Sequence, residues 1–163
     1  MARAGEVTAK RGPGYWVAVG FGAGHAPVIA GTVGTVPLWL AVFFIAQAYP
    51  ISPLALGIAA VVLAFVGFWA ASEAEAVLGH DPKAVVIDEW VGMLIALAGV
   101  PARFLPYLWA FLLFRFFDVI KPFPARQLER LPRGYGVVMD DVCAGLYALA
   151  SYHLLHMLWP AVF

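Results

Sequence analysis

Five apolar runs, parted by breaks rich in proline and glycine, set the plan of this chain: residues 36–48, 53–71, 84–100, 106–120 and 142–159. The first closes at Tyr49-Pro50, and the second is the longest without interruption. Asp88 and Glu89 lie inside the third, and Arg115 and Asp118 fall near the end of the fourth. A straight helical crossing of a bilayer takes about 20 apolar residues. Runs one, three and four are shorter than that. Either their ends lie at the interface, or their charged residues sit at membrane depth, shielded by neighbouring helices. The pattern predicts an all-α, polytopic membrane bundle of about five helices, built as a single domain over residues 1–163. There is no internal repeat, low-complexity tract or second, soluble domain.

Composition supports membrane residence. Hydrophobic residues make up 63% of the chain and charged residues 12%, against about 25% charged in a soluble domain. A soluble fold of this size cannot hide so much apolar surface, whereas a bilayer covers it. The net charge is zero, so nothing argues for a nucleic-acid partner. An oligomer is allowed, but no feature supports one. The lone cysteine, Cys143, rules out an intrachain disulfide and a cysteine-built metal site. The basic N-terminus precedes an apolar stretch broken by Gly20, Gly22 and Gly24, so no cleaved secretory signal is expected.

Charge is distributed unevenly between the two ends of the predicted helices. With the N-terminus inside and five alternating helices, the inside segments are 1–35, 72–89 and 115–141. All ten Asp and Glu residues then fall inside, as do all Lys and Arg residues except Arg103. The basic bias orients the chain with a cytoplasmic N-terminus. The acidic bias contributes little to orientation and calls for another explanation.

Asp88-Glu89 and Asp140-Asp141 both sit where an apolar helix is expected to begin. Helix capping would account for one carboxylate at each place. Two adjacent acids exceed what a cap requires and suit a hard-cation site, since Mg²⁺ takes carboxylate oxygens alongside water and phosphate. Arg115, Asp118 and Lys121 are spaced three apart and share one side of a helix. They read either as a snorkelling, solvated face or as phosphate binders, Arg offering a fork and Lys a point charge. Before the first run, Gly22, Gly24, Gly31 and Gly34 allow close backbone approach, and Thr32 and Thr35 are candidates to cap a helix or bind a phosphate oxygen. His25 and His80 are each either general acid–base groups or loop residues, while His153 and His156 fall near the outer end of the fifth run. A small membrane ion or metal transporter is the alternative use of such an acidic cluster, although transporters place ionisable groups near the midplane.

Four blocks, GFGAG…GTVGT, HDPKAVVIDEWVGM, FRFFDVIKPFPAR and GYGVVMDDVCAG, occur in this order from about Gly20 to Gly145. In order and spacing they resemble the phosphatidylglycerophosphatase A family. The resemblance implies a Mg²⁺-dependent phosphatase of phospholipid biosynthesis in a bacterial cytoplasmic membrane. It would convert phosphatidylglycerophosphate to phosphatidylglycerol and phosphate, by water attack or through an aspartyl-phosphate. Carried over by motif, Asp81, Asp88, Glu89, Asp118, Asp140 and Asp141 form the metal set, all but Asp81 also being catalytic. Arg115 and Lys121 would be the phosphate binders, and the residues' own chemistry adds Thr32 and Thr35 to them. The chain departs from the family pattern at Ala30-Gly31-Thr32 and at Arg133-Gly134-Tyr135-Gly136, neither of which removes a carboxylate.

Overall fold

The computed structural model describes residues 11–26, 30–79 and 82–160, and among them every regular element is helical. In chain order these are α1 (Pro13–Ala18), a tight 3-10 segment (Gly20–His25), α2 (Ala30–Ala48), α3 (Pro53–Leu78), α4 (Ile87–Ala96), α5 (Phe104–Ile120), α6 (Ala125–Leu128) and α7 (Gly134–Leu158). The helices start and stop where local chemistry dictates. Ser52 caps α3 by accepting from the Ala55 N–H at 3.1 Å, with Pro53 in the first turn. Gly79, at φ +95°, ends it. α5 ends on Lys121, which adopts the left-handed conformation at φ +49°.

Two helix starts fall well ahead of the sequence expectation. α2 begins six residues before the apolar run, so Gly31, Thr32 and Thr35 lie within a helix rather than in a loop before one. α7 begins eight residues early, which places Asp140 and Asp141 in its interior, about two turns from its N-terminus. In both cases the helix extends over small and polar residues because neighbouring helices offer them partners.

α4 packs most extensively against α7 and α3, and α7 also contacts α5. The tightest crossing is glycine on glycine. A Cβ at Gly145 would lie 2.4 Å from the Gly92 carbonyl oxygen, and one at Gly92 would lie 2.6 Å from that of Asp141. Beyond this crossing Met93, Leu97, Phe114, Ala144, Ala148 and Tyr152 fill the core. The N-terminal segment braces residues 84–86: the Val86 N–H donates to the Ala18 carbonyl at 2.9 Å, and Gly24 packs against Ala84.

Of the five expected crossings, two helices are long and apolar enough to cross a membrane, over Gly31–Ala48 and Pro53–Leu78. Only 22% and 28% of these stretches is buried. Phe44, Leu54 and Phe65 are among the large side chains they expose. The other three fall short. α4 has ten residues and α5 seventeen, while α7 dilutes its apolar residues with Asp140, Asp141, His153 and His156.

Candidate active site

Three helices deliver ionisable side chains to one end of the bundle. α4 begins there with Asp88 and Glu89 in its first turn, where free N–H groups and the helix dipole favour negative charge. α5 ends there with Arg115, Asp118 and Lys121. On α7, Val137, Asp140 and Asp141 share a face by their spacing. Together with Gly31, Pro82, Lys83 and Val85, these residues line a cleft of about 350 Å³. The Gly92–Gly145 crossing lies one turn further along both helices, four residues past Asp88 and Asp141 respectively. Close backbone approach there is what allows the two carboxylate-bearing helices to share the cleft.

Among the described residues the buried polar and charged side chains are Thr35, Asp88, Glu89, Asp140 and Asp141. Arg115 Nη1 donates to Glu89 Oε1 at 3.0 Å and lies 2.8 Å from Asp118 Oδ2. Lys121 Nζ lies 2.6 Å from Asp140 Oδ2 and 3.0 Å from Glu129 Oε1. Burial works against the Lys121 charge, but the bond to Asp140 and the added pull of Glu129 prevail, raising the ammonium above its usual lysine value. Lys121 therefore stays cationic throughout the physiological range.

Negative charge remains in excess. Five carboxylates on the wall (Asp88, Glu89, Asp118, Asp140 and Asp141) face Arg115, Lys121 and the exposed Lys83. Asp88 Oδ1 and Asp140 Oδ1 are buried with no hydrogen-bond partner. Leaving such an atom unsatisfied costs about 1–3 kcal/mol, and a cation or ordered water is the usual remedy. Among the described residues no three His, Cys, Asp or Glu side chains form a metal cage by themselves. The donor set thus fits a cation that takes one or two carboxylates and fills its remaining positions with water and phosphate.

Seven of the residues singled out in the sequence, Asp88, Glu89, Asp118, Asp140, Asp141, Arg115 and Lys121, line this one cleft. Capping does not explain Asp140 and Asp141, which are interior to α7. Thr35 does not stand where a phosphate binder would. It is fully buried behind Glu89, its hydroxyl in hydrogen-bond contact with Glu89 Oε2 and 2.7 Å from the Gly31 carbonyl. Thr32 is half-buried and not on the wall. The 3-10 segment also stays off it, because Gly20 and Gly24 pack against Val86 and Ala84. Asp81 and His80 lie outside the described residues. His25 meets the Tyr15 hydroxyl at 2.9 Å, away from the cleft.

Two contributors were not singled out by sequence. Lys83 lies in the HDPKAVVIDEWVGM block and stands at the rim of the cleft. Glu129 pairs with Lys121. Gly31, marked in the sequence for close backbone approach, is needed for its missing side chain, since a Cβ there would sit 2.1 Å from Glu89 Oε1 and 2.9 Å from Arg115 Nη2. Gly31→Ala is accordingly expected to push the Glu89–Arg115 pair out of place and lower kcat/KM on the order of tenfold. A melting curve close to wild type would separate this from misfolding.

A family model described as phosphatidylglycerophosphatase A matches residues 16–156, a stretch containing the whole cleft and all four sequence blocks. The chain belongs to the phosphatidylglycerophosphatase A family. It is therefore a phosphatase. Over 155 residues it is 32% identical to the phosphatidylglycerophosphatase A of Escherichia coli K12, covering 91% of this chain and 86% of that one. Its likeness to the Haemophilus influenzae phosphatidylglycerophosphatase A is 49% over 74 residues, 43% of this chain and 44% of the relative. A Bacteroides thetaiotaomicron protein, provisionally named a phosphatidylinositol-3-phosphatase, is 41% identical over 140 residues, covering 81% of this chain and 86% of its own length. No solved structure matches the chain.

Proposed function

We propose that this chain is a Mg²⁺-dependent lipid phosphatase that hydrolyses phosphatidylglycerophosphate to phosphatidylglycerol and phosphate. The observation that carries the reading is a single cleft in which Asp88 Oδ1 and Asp140 Oδ1 are buried without partners beside Arg115 and Lys121. Family membership supports the same chemistry.

Asp88 and Asp140, with Asp118 and Asp141 nearby, would hold Mg²⁺ together with water and substrate oxygens. When bound, the ion supplies Lewis-acid polarisation of the phosphate and offsets the carboxylate charge. Arg115 presents its guanidinium to the terminal phosphate, kept in orientation by Glu89 and Asp118, and Lys121 adds a second positive charge. A cleft carboxylate accepts the proton as water oxygen bonds to phosphorus. The phosphorus–oxygen bond to the glycerol breaks, and the departing oxygen takes up that proton to become the hydroxyl of phosphatidylglycerol.

The same reading places the protein in a bacterial cytoplasmic membrane. α2 and α3 embed it, the charged end lies on the cytoplasmic side, and the acyl chains of the substrate stay in the bilayer. The clustering of basic residues toward that end supports this orientation. A transporter would need a polar path through the bundle, whereas the core beyond the cleft is packed with Met93, Leu97, Phe114 and Ala148.

The direct test is phosphate release by the purified protein in detergent. Release from phosphatidylglycerophosphate with Mg²⁺, lost in EDTA and restored by added Mg²⁺, is the expected result. Folded protein that releases no phosphate would overturn the reading. The Bacteroides relative motivates a second arm with phosphatidylinositol 3-phosphate, also a phosphomonoester lipid. If that lipid has the higher kcat/KM, the substrate assignment moves to it while the chemistry stands.

A further inference from the structure

Glu129 stands behind the cleft rather than on its wall, yet it touches the ammonium at the centre of the site. Its Oε1 is 3.0 Å from Lys121 Nζ, and Asp140 Oδ2 is 2.6 Å from the same nitrogen. Three separate stretches of chain converge there: the end of α5, the residue following α6, and the interior of α7. The stretch carrying Glu129 is pressed onto α7. A Cβ on Gly136 would lie 2.4 Å from the Glu129 carbonyl oxygen and 2.7 Å from that of Leu131. Gly136 is one helical turn before Asp140, so the two carboxylates that grip Lys121 are fixed relative to each other.

A lysine ammonium on its flexible stem is otherwise free to swing and spin. Two acceptors anchored on different elements remove both freedoms. Two of its three N–H donors are then committed, and tetrahedral geometry at nitrogen sets the direction of the third. With Glu129 gone, Lys121 would fold onto Asp140 alone and its remaining donors would lose their aim.

We propose that Glu129 is a positioning residue for phosphate recognition, holding Lys121 so that its third N–H meets a phosphate oxygen in the cleft. This rests on the reading of the cleft as a phosphate site. It assigns to the turn between α6 and α7, none of whose residues lines the cleft, a part in substrate affinity.

The test uses the full chain in detergent as wild type, Glu129→Gln and Glu129→Asp. Gln preserves size and one neutral acceptor, so folding is retained, and thermal melts check this. Affinity for inorganic phosphate is measured by calorimetry, and KM and kcat on phosphatidylglycerophosphate by phosphate release. In Glu129→Gln the phosphate Kd and the KM are expected to rise about tenfold, with kcat within about threefold of wild type. Glu129→Asp should recover most of the affinity, because it restores the charge. An unchanged phosphate Kd in folded Glu129→Gln overturns the inference, as does a fall in kcat with KM unaltered. Wild-type protein that binds phosphate but hydrolyses no lipid would defeat the hydrolytic reading alone, and the Kd comparison would still decide the role of Glu129. A wild type without phosphate affinity overturns both.

Discussion

Asp88→Asn is expected to lower Mg²⁺-dependent phosphate release by about a thousandfold or more while making the protein harder to unfold. The two effects share one cause. Asp88 is buried, sits beside Glu89, and has an oxygen without a partner. An ionised carboxylate in that position is unfavourable for the fold until a cation meets it. Asn has the same shape and no charge, so it relieves the repulsion and removes the ligand together. Measured in EDTA, the thermal midpoint of Asp88→Asn should rise by about 2–4 °C for each kcal/mol relieved. Lost activity with a raised midpoint is the signature of a residue kept for chemistry at the expense of stability. A lowered midpoint would instead make Asp88 a structural residue, and the active-site assignment would fail there.

The second large effect falls on the scaffold, and its sign is what matters. Gly→Ala inside an ordinary helix stabilises by about 0.5–1 kcal/mol, because glycine loses more conformational freedom on folding. At Gly57 in α3 nothing lies within 4 Å of an added Cβ, and Gly57→Ala is expected to follow that rule. Gly145→Ala should do the reverse, with a loss of about 2 kcal/mol. Its Cβ would meet the Gly92 carbonyl oxygen at 2.4 Å and the Gly92 Cα at 3.0 Å. Both are backbone atoms of a packed helix, which cannot rotate aside as a side chain can. Separating α4 from α7 also spreads Asp88 from Asp141, so activity should fall with stability. Thermal melts of the two variants side by side, with phosphate release, check this. If Gly145→Ala melts above wild type, the crossing is looser than described and does not set the cleft.

The chemistry of the site was largely legible in the sequence. A carboxylate or guanidinium inside an apolar run has no water to solvate it, so it must find partners within the protein. That constraint attaches to single residues, and a single chain reveals it. Asp88, Glu89, Arg115 and Asp118 were identified that way, Lys121, Asp140 and Asp141 by their spacing and pairing at the ends of runs, and all seven line one cleft. Their order within four blocks also marked the family, which the match over residues 16–156 bears out.

Other features depended on what lies across space. Gly31 and Thr35 read locally as a glycine–threonine loop feeding a helix. They are helical because α2 runs against Glu89, where Gly31 leaves room for the carboxylate and Thr35 bonds to it. Glu129 was not singled out in the sequence, and its role emerges only once Gly136 brings its turn onto α7. The number of long apolar helices was overcounted for a related reason. Apolar content alone does not distinguish a ten-residue helix such as α4, enclosed by α3 and α7, from one exposed along its length. What the sequence determined by itself was which residues have to be shielded from water and which are too charged to be left alone. Which of them meet, and which small residues make room for the meeting, was decided by the packing of helices distant in the chain, where a single missing Cβ sets how closely two backbones approach.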